Sequence, residues 1–193
     1  MIATLLLAAL LISAPGVATA PAASATPGAA PATPAALDEA IESLMGTIDG
    51  HPSPERWRAL GAGAVAPLAR IATDPAALPS RRARAVNGLS HLGGRLATAT
   101  VSALAAEDTA PFGVRAAALE GAGRLLGAAE LRARLAPVLL SARRPADRAV
   151  AADVLAVRAP TECPAVRARA VLEAVADRPG FDRALARCAA SGR

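Results

Sequence analysis

The sequence predicts an all-α fold of stacked antiparallel helix pairs, on three observations. The first is composition: 193 residues hold about 55 alanines but only two Phe, one Trp and no Tyr. Alanine loses no side-chain entropy in a helix and Leu and Arg lose little, whereas a sheet wants β-branched and aromatic residues in alternation. The second is periodicity: from Leu37 onward apolar residues recur at helical spacing, and no stretch alternates convincingly at period two. The third is an internal repeat with an offset of 33 residues. All 21 basic residues are Arg, there is no Lys or Gln, and the formal net charge is +5. At this length one domain is the default.

The first element is an address rather than a fold. The apolar run from Met1 to Ile12 is followed by Ser13, Pro15, Gly16 and small residues. That is the layout of a secretory signal, although its n-region carries no Arg or Lys. Cleavage after Ala18-Thr19-Ala20 would place Pro21 beside the scissile bond. Ala23-Ser24-Ala25 is the better site, so residues 1–25 are read as signal peptide with a mature start near Thr26. The competing reading is an uncleaved anchor, because Ile2 to Ala20 approaches the ~20 residues of a spanning helix; Pro15 and Gly16 interrupt it. No Cys near this run invites lipidation. Residues 26–36 contain only Ala, Pro, Thr and Gly, the composition of a semi-rigid linker, and the helical domain is placed at 37–193.

Within that domain, Leu37, Ile41, Leu44 and Ile48 form one amphipathic stripe with Asp38, Glu39 and Glu42 in its early turns. Ser53-Pro54 reads as N-cap and first-turn proline of the next helix. Later stripes are Ala85, Leu89 and Leu92; Leu131, Leu135 and Val138; Val150, Val154 and Val157; and Ala168, Val171, Leu172 and Val175. RARAVNGLSHLGG, from Arg82, aligns with RAAALEGAGRLLG, from Arg115, and a further 33 residues lead to Arg148 with Ala151 and Leu155. A second helix precedes each: AVAPLARIATD at 64–74, TVSALAAED at 100–108 and RLAPVLLSA at 134–142. One such pair cannot bury its apolar face alone, but stacked neighbours can. The expected architecture is an α-solenoid of about four units with capping helices.

A helix, an Asp-containing turn, and a second helix opening near Arg and closing on L-x-x-L-G resembles the HEAT repeat, especially its short subtype named for phycobilin lyases. The first-helix proline of that family is matched by Pro67 and Pro137, with Ser102 between them. Its turn Asp and following Arg are matched by Asp74 with Arg82 and by Asp108 with Arg115. The third unit departs, with Ser141 and Ala142 in place of the Asp, though Arg148 is present. The resemblance covers about residues 59–160 and implies stacking, not a particular activity. Arg82, Arg115 and Arg148 are accordingly read as a structural ladder beside the turn acids rather than as ligand contacts.

Cys163 and Cys188 are the only cysteines. Pro164 to Asp177 reads as a helix, Arg178-Pro179-Gly180 as a turn and Phe181 to Ala189 as a returning helix. That hairpin brings the two cysteines together, and in an exported protein they are expected to be bonded. A catalytic Cys would need a His partner, but His51 and His91 lie in distant units, and no zinc-ligand spacing occurs. Gly61-Ala62-Gly63 and Gly121-Ala122-Gly123 lack the strand of a dinucleotide loop and read as turns or close packing. Glu107-Asp108 reads as a solvated or capping pair at a turn, His91 as a surface or turn residue, and Trp57 as core of the N-terminal cap. No cofactor, metal or catalytic constellation is expected.

Basic clusters occur at Arg81, Arg82 and Arg84, at Arg132 and Arg134, and at Arg143, Arg144 and Arg148. The simplest reading is solvation. Along a solenoid, Arg81, Arg84, Arg132, Arg134, Arg143 and Arg144 could instead meet an acidic protein, an anionic polysaccharide or lipid headgroups. Nucleic acid is not expected, since the chain is exported and lacks aromatics for base stacking. The functional expectation is a secreted or periplasmic, non-catalytic protein-binding or scaffold module, its curved face lined by the second helices. Alternatives are an envelope-anchored structural protein, touching the membrane only if the signal stays uncleaved, or a maturation factor of the lyase-type class.

Overall fold

The computed structural model describes residues 33–46, 50 and 52–191. The predicted signal peptide, the linker up to residue 32, and Ile48 and His51 lie outside them. Among the described residues there are ten α-helices and no strand: α1 Pro34–Met45, α2 Pro54–Ala59, α3 Val65–Thr73, α4 Pro79–Leu92, α5 Arg95–Ala106, α6 Phe112–Leu125, α7 Ala128–Ser141, α8 Pro145–Arg158, α9 Cys163–Leu172 and α10 Asp182–Ala190.

Local chemistry sets most of the helix starts. Proline opens α1, α2, α4 and α8, where its fixed φ suits the first turn and its missing N–H is not needed. Ser53 caps α2 as expected, accepting from the Arg56 amide. Thr33 does the same for α1, accepting from the Ala36 amide at 3.2 Å. The helical region therefore begins at Pro34, three residues inside the stretch assigned to the linker. A capping Thr followed by Pro is a stronger start signal than the first large apolar residue. Between α4 and α5, Gly93 and Gly94 take φ of 71° and 87°, a left-handed turn open to glycine.

The helices pack as successive neighbours. α3 lies against α4, α5 against α6 and α7 against α8, while α4 packs on α6 and α6 on α8. α10 closes on α8, and α2 covers α4. The buried side chains run as one apolar cluster from Ile41 to Cys188. The core is narrow because its helices come close. A Cβ on Gly88 would stand 2.8 Å from the Trp57 ring, and one on Gly123 would stand 2.7 Å from Val154 Cγ1. Gly121 likewise presses on Val101 and Ser90. Leu68, Leu89, Leu119, Leu131, Leu135, Leu139 and Leu155 then fill the layer, each contributing about 1.5–3 kcal/mol by leaving water. Trp57 and Phe181, both fully buried, fill the two ends.

Two expected stripes are corrected. In α8 Val157 is half exposed, while Val154 of the expected stripe and the repeat positions Ala151 and Leu155 are buried, with Ala152 beside them. The stripe at Ala168, Val171, Leu172 and Val175 faces water: Val171, Leu172 and Val175 are each more than 70% exposed. α9 instead turns Cys163, Val166 and Ala170 inward and ends at Leu172, five residues short of the expected Asp177. Glu173, held inside by arginines, fixes the rotation of this segment against its apolar periodicity.

Candidate functional site

The second helix of each central pair opens with an arginine that reaches back to the end of the first. Arg82 donates from Nε to the Ala72 carbonyl at 3.0 Å, and Arg115 from Nε to the Ala105 carbonyl at 3.1 Å. Arg148 donates from Nη1 to the Ala142 carbonyl at 2.6 Å. These acceptors lie in the last turn or at the cap of α3, α5 and α7, where helix carbonyls lack intrahelical donors and favour a cation. The three guanidiniums are buried. They bracket each helix pair from inside and are not free to meet a ligand.

The acids that meet them differ from the turn Asp pattern. Asp108 pairs with Arg115, but Asp74 accepts from the Ala76 amide at 2.9 Å and shapes its own turn, without reaching Arg82. The buried partners come from the following unit. Asp147 Oδ2 accepts from Arg115 Nη1 at 3.0 Å and from Arg144 Nε at 2.9 Å. Glu173 Oε1 accepts from Arg148 Nε at 2.6 Å and from Arg169 Nε at 2.7 Å, with a second bond from Arg148 to Oε2. The Arg148 bonds, reinforced by Arg169 and opposed by burial, hold the Glu173 carboxyl down to about 2. The bond to Glu173 in turn raises the Arg148 pKa.

Most of the arginines singled out for an anionic partner have internal partners. Arg81 pairs with Glu42, and Arg84 donates to the Met45 carbonyl, tying α4 to α1. Arg144 reaches Asp147 and the carbonyls of Ala110 and Asp108. Arg132 lies 3.9 Å from Glu162. Arg134 pairs with Glu130 one turn earlier at 3.0 Å while remaining half exposed. Arg143 is exposed, and its side chain meets no acid among the described residues. Five of the six are thus already engaged within the chain. His91 lies partly buried at the end of α4, where burial first, then Arg124 and Arg58, push its pKa down.

Cys163 and Cys188 form a disulfide with a Cα–Cα distance of 5.4 Å, joining the start of α9 to the end of α10. Arg167 donates to the Cys188 carbonyl at 2.9 Å beside it. Among the described residues no group of three or more His, Cys, Asp or Glu converges as metal ligands, and no helix is long and apolar enough to cross a membrane.

One concavity lies beside the Arg115 bracket. α3 packs directly on α5, but α5 and α7 lie further apart. Between them is a cleft of about 110 Å³ with Ala105, Leu119, Ala122, Leu135 and Val138 in its walls, Ser102 inside and Arg134 at its edge. The side of α5 facing α7 carries Ser102 and alanines, which are too short to close the gap. Ser102 is 8% exposed, and its hydroxyl has no hydrogen-bond partner.

Comparison with protein-family models, curated proteins and solved structures returns no match for this chain.

The cleft was not among the features read from sequence. Its one trace there is Ser102, standing where the equivalent helices carry Pro67 and Pro137. Asp147 was missed because it sits in the first turn of α8, and Glu173 because the expected helix ran on to Asp177 and hid its place at the end of α9. Each is brought to its arginine only by the packing of the next helix.

Proposed function

We propose that this chain is an exported HEAT-like α-solenoid, secreted or periplasmic, that acts as a non-catalytic protein-binding or scaffold module. The observation that carries the reading is the recurring bracket of Arg82, Arg115 and Arg148, 33 residues apart, each tying its helix to the end of the one before. The side-by-side order of α4, α6 and α8 supports the same reading, as expected of stacked repeats that each contact only their neighbours. The disulfide fits an oxidising compartment, and it staples the terminal pair, which has a neighbour on one side only. Stacks of this kind present long surfaces to other proteins; here an acidic partner is favoured by the net charge of +5.

Two measurements test it. Mass spectrometry of the protein from its native source is expected to find a mature terminus at Thr26; an intact Met1 in the membrane fraction overturns the exported, cleaved form. Affinity capture from an envelope extract is expected to retain a defined acidic protein at low salt and release it as salt rises. Retention of no partner at any salt concentration overturns the binding role.

A further inference from the structure

We propose that the α5–α7 cleft is a docking site for an acidic, aliphatic peptide segment of a partner protein; this rests on the protein-binding reading above and names its site. The pocket has a built polar group. Ser102 is more than nine-tenths buried, its hydroxyl has no partner, and it lines both the cleft and the groove that continues from it. A mid-helix serine ordinarily returns its hydroxyl to the carbonyl one turn back, as Thr73 does to Ala69 at 2.9 Å. Left unpaired in an apolar wall, the occluded hydroxyl loses its water without compensation, a cost removed when the short side chain rotates to meet a ligand donor or acceptor in the cleft.

The walls specify the rest of the occupant. The cleft of about 110 Å³ is apolar and open on one side, in the range that takes one branched aliphatic group. It continues along the outer face of α5 as a shallower groove of about 530 Å³ over Thr98, Ala99, Ala103 and Ala106. The low walls of that groove admit a peptide backbone. Arg95 and Arg134 border it. Arg134 is half exposed and shares one carboxylate, Glu130, while Arg95 is exposed with no acid at ion-pair distance among the described residues. Beneath Arg134, Arg115 and Arg144 together are already matched by Asp108 and Asp147. The uncompensated charge at the groove is therefore positive. A segment with one Leu or Val flanked by Glu or Asp fills the cavity with its aliphatic group, offers its backbone to the Ser102 hydroxyl where cleft and groove meet, and brings its carboxylates to both guanidiniums. This places the contact between first helices, not on the second-helix face that repeat stacking alone suggests.

The probe is acetyl-Ala-Glu-Leu-Glu-Ala-amide, titrated into the purified full chain with its disulfide intact and followed by NMR shifts. A Lys-for-Glu peptide and a Gly-for-Leu peptide serve as controls. Saturable shifts confined to α5, α7 and the Leu119–Ala122 stretch of α6, with half-saturation at roughly 0.1–1 mM, are expected for the probe alone. Ala103→Trp, at an exposed position in the groove, is expected to abolish them, and Arg134→Glu to weaken binding about tenfold. Ser102→Ala is expected to weaken binding about fivefold while raising the melting temperature, because it removes a buried unpaired hydroxyl. A purely structural serine would not move the two readouts in opposite directions. No saturable shift with the probe, or equal binding of the Lys peptide, overturns the proposal. Probe binding that survives Ala103→Trp overturns the cleft while leaving the protein-binding reading intact. That reading falls separately, if capture retains no partner.

Discussion

Arg115 donates from Nη1 to Asp147 Oδ2 at 3.0 Å across the α6–α8 contact, with the two side chains 3% and 0% exposed. The sequence places an arginine there but not its acid. Asp147 has Arg144 as its second donor, whereas Arg115 also holds Asp108 and the Ala105 carbonyl. Arg115→Ala therefore deprives a fully buried carboxylate of its main partner and opens a bracket. About 3 kcal/mol of stability is expected to go, measured by urea unfolding. Replacing both, Arg115→Met with Asp147→Leu, is expected to recover most of that loss, because two well-packed apolar residues leave no fully buried charge unpaired, and Arg144 and Asp108, which lose their partners, reach water. A double variant as unstable as Arg115→Ala would show that the bracket to Ala105, not the ion pair, carries the effect.

Acid should loosen the C-terminal end. Glu173 ordinarily titrates near 4.5 but in the folded chain is held down to about 2 by Arg148 and Arg169. The unfolded chain thus takes up this proton at higher pH than the folded one. The stabilisation is fully present above about pH 4.5 and is lost as pH falls towards 2. From the size of the shift it amounts to at most about 3 kcal/mol. Glu173→Gln is expected to flatten the stability profile between pH 5 and pH 2, followed by circular dichroism in urea.

The disulfide spans a sequence separation of 25, so in the loop-entropy estimate it stabilises by about 3 kcal/mol. Its removal with Cys163→Ala and Cys188→Ala is expected to act locally. Amide exchange should accelerate throughout α9 and α10 and change little in α4 and α6, whose contacts do not involve the bridge. Uniform acceleration would mean that the terminal pair supports the whole stack.

Two glycine substitutions on helices should move stability in opposite directions. Gly88→Ala drives a methyl into the Trp57 ring and is expected to destabilise by about 1–3 kcal/mol despite alanine's helix preference. Gly113→Ala, in the first turn of α6 with nothing within 4 Å, is expected to stabilise by up to about 1 kcal/mol. Thermal unfolding of the two single variants reads both.

Much of the fold was legible locally. Pro54 behind Ser53 and the spacing of Arg82, Arg115 and Arg148 both express preferences of a few neighbouring residues. The stripe through Val171, Leu172 and Val175 misled because periodicity marks an apolar face without saying whether a neighbour covers it. Only half of the bracket was legible. The arginines repeat, but Asp147 and Glu173 lie 32 and 25 residues further on, at offsets no repeat imposes.

By itself, then, the sequence determined helices, the start of α2 at Ser53-Pro54, the recurring arginine and the pairing of Cys163 with Cys188, since each follows from backbone preferences, composition or a hairpin. Tertiary structure alone decided which acid meets which arginine, which apolar residues stay in water, and that α5 and α7 stand apart around Ser102. Those outcomes depend on the distance and rotation between packed helices. Small residues such as Gly88, Gly121 and Gly123 set the close approaches, and the short side chains along α5 leave the gap.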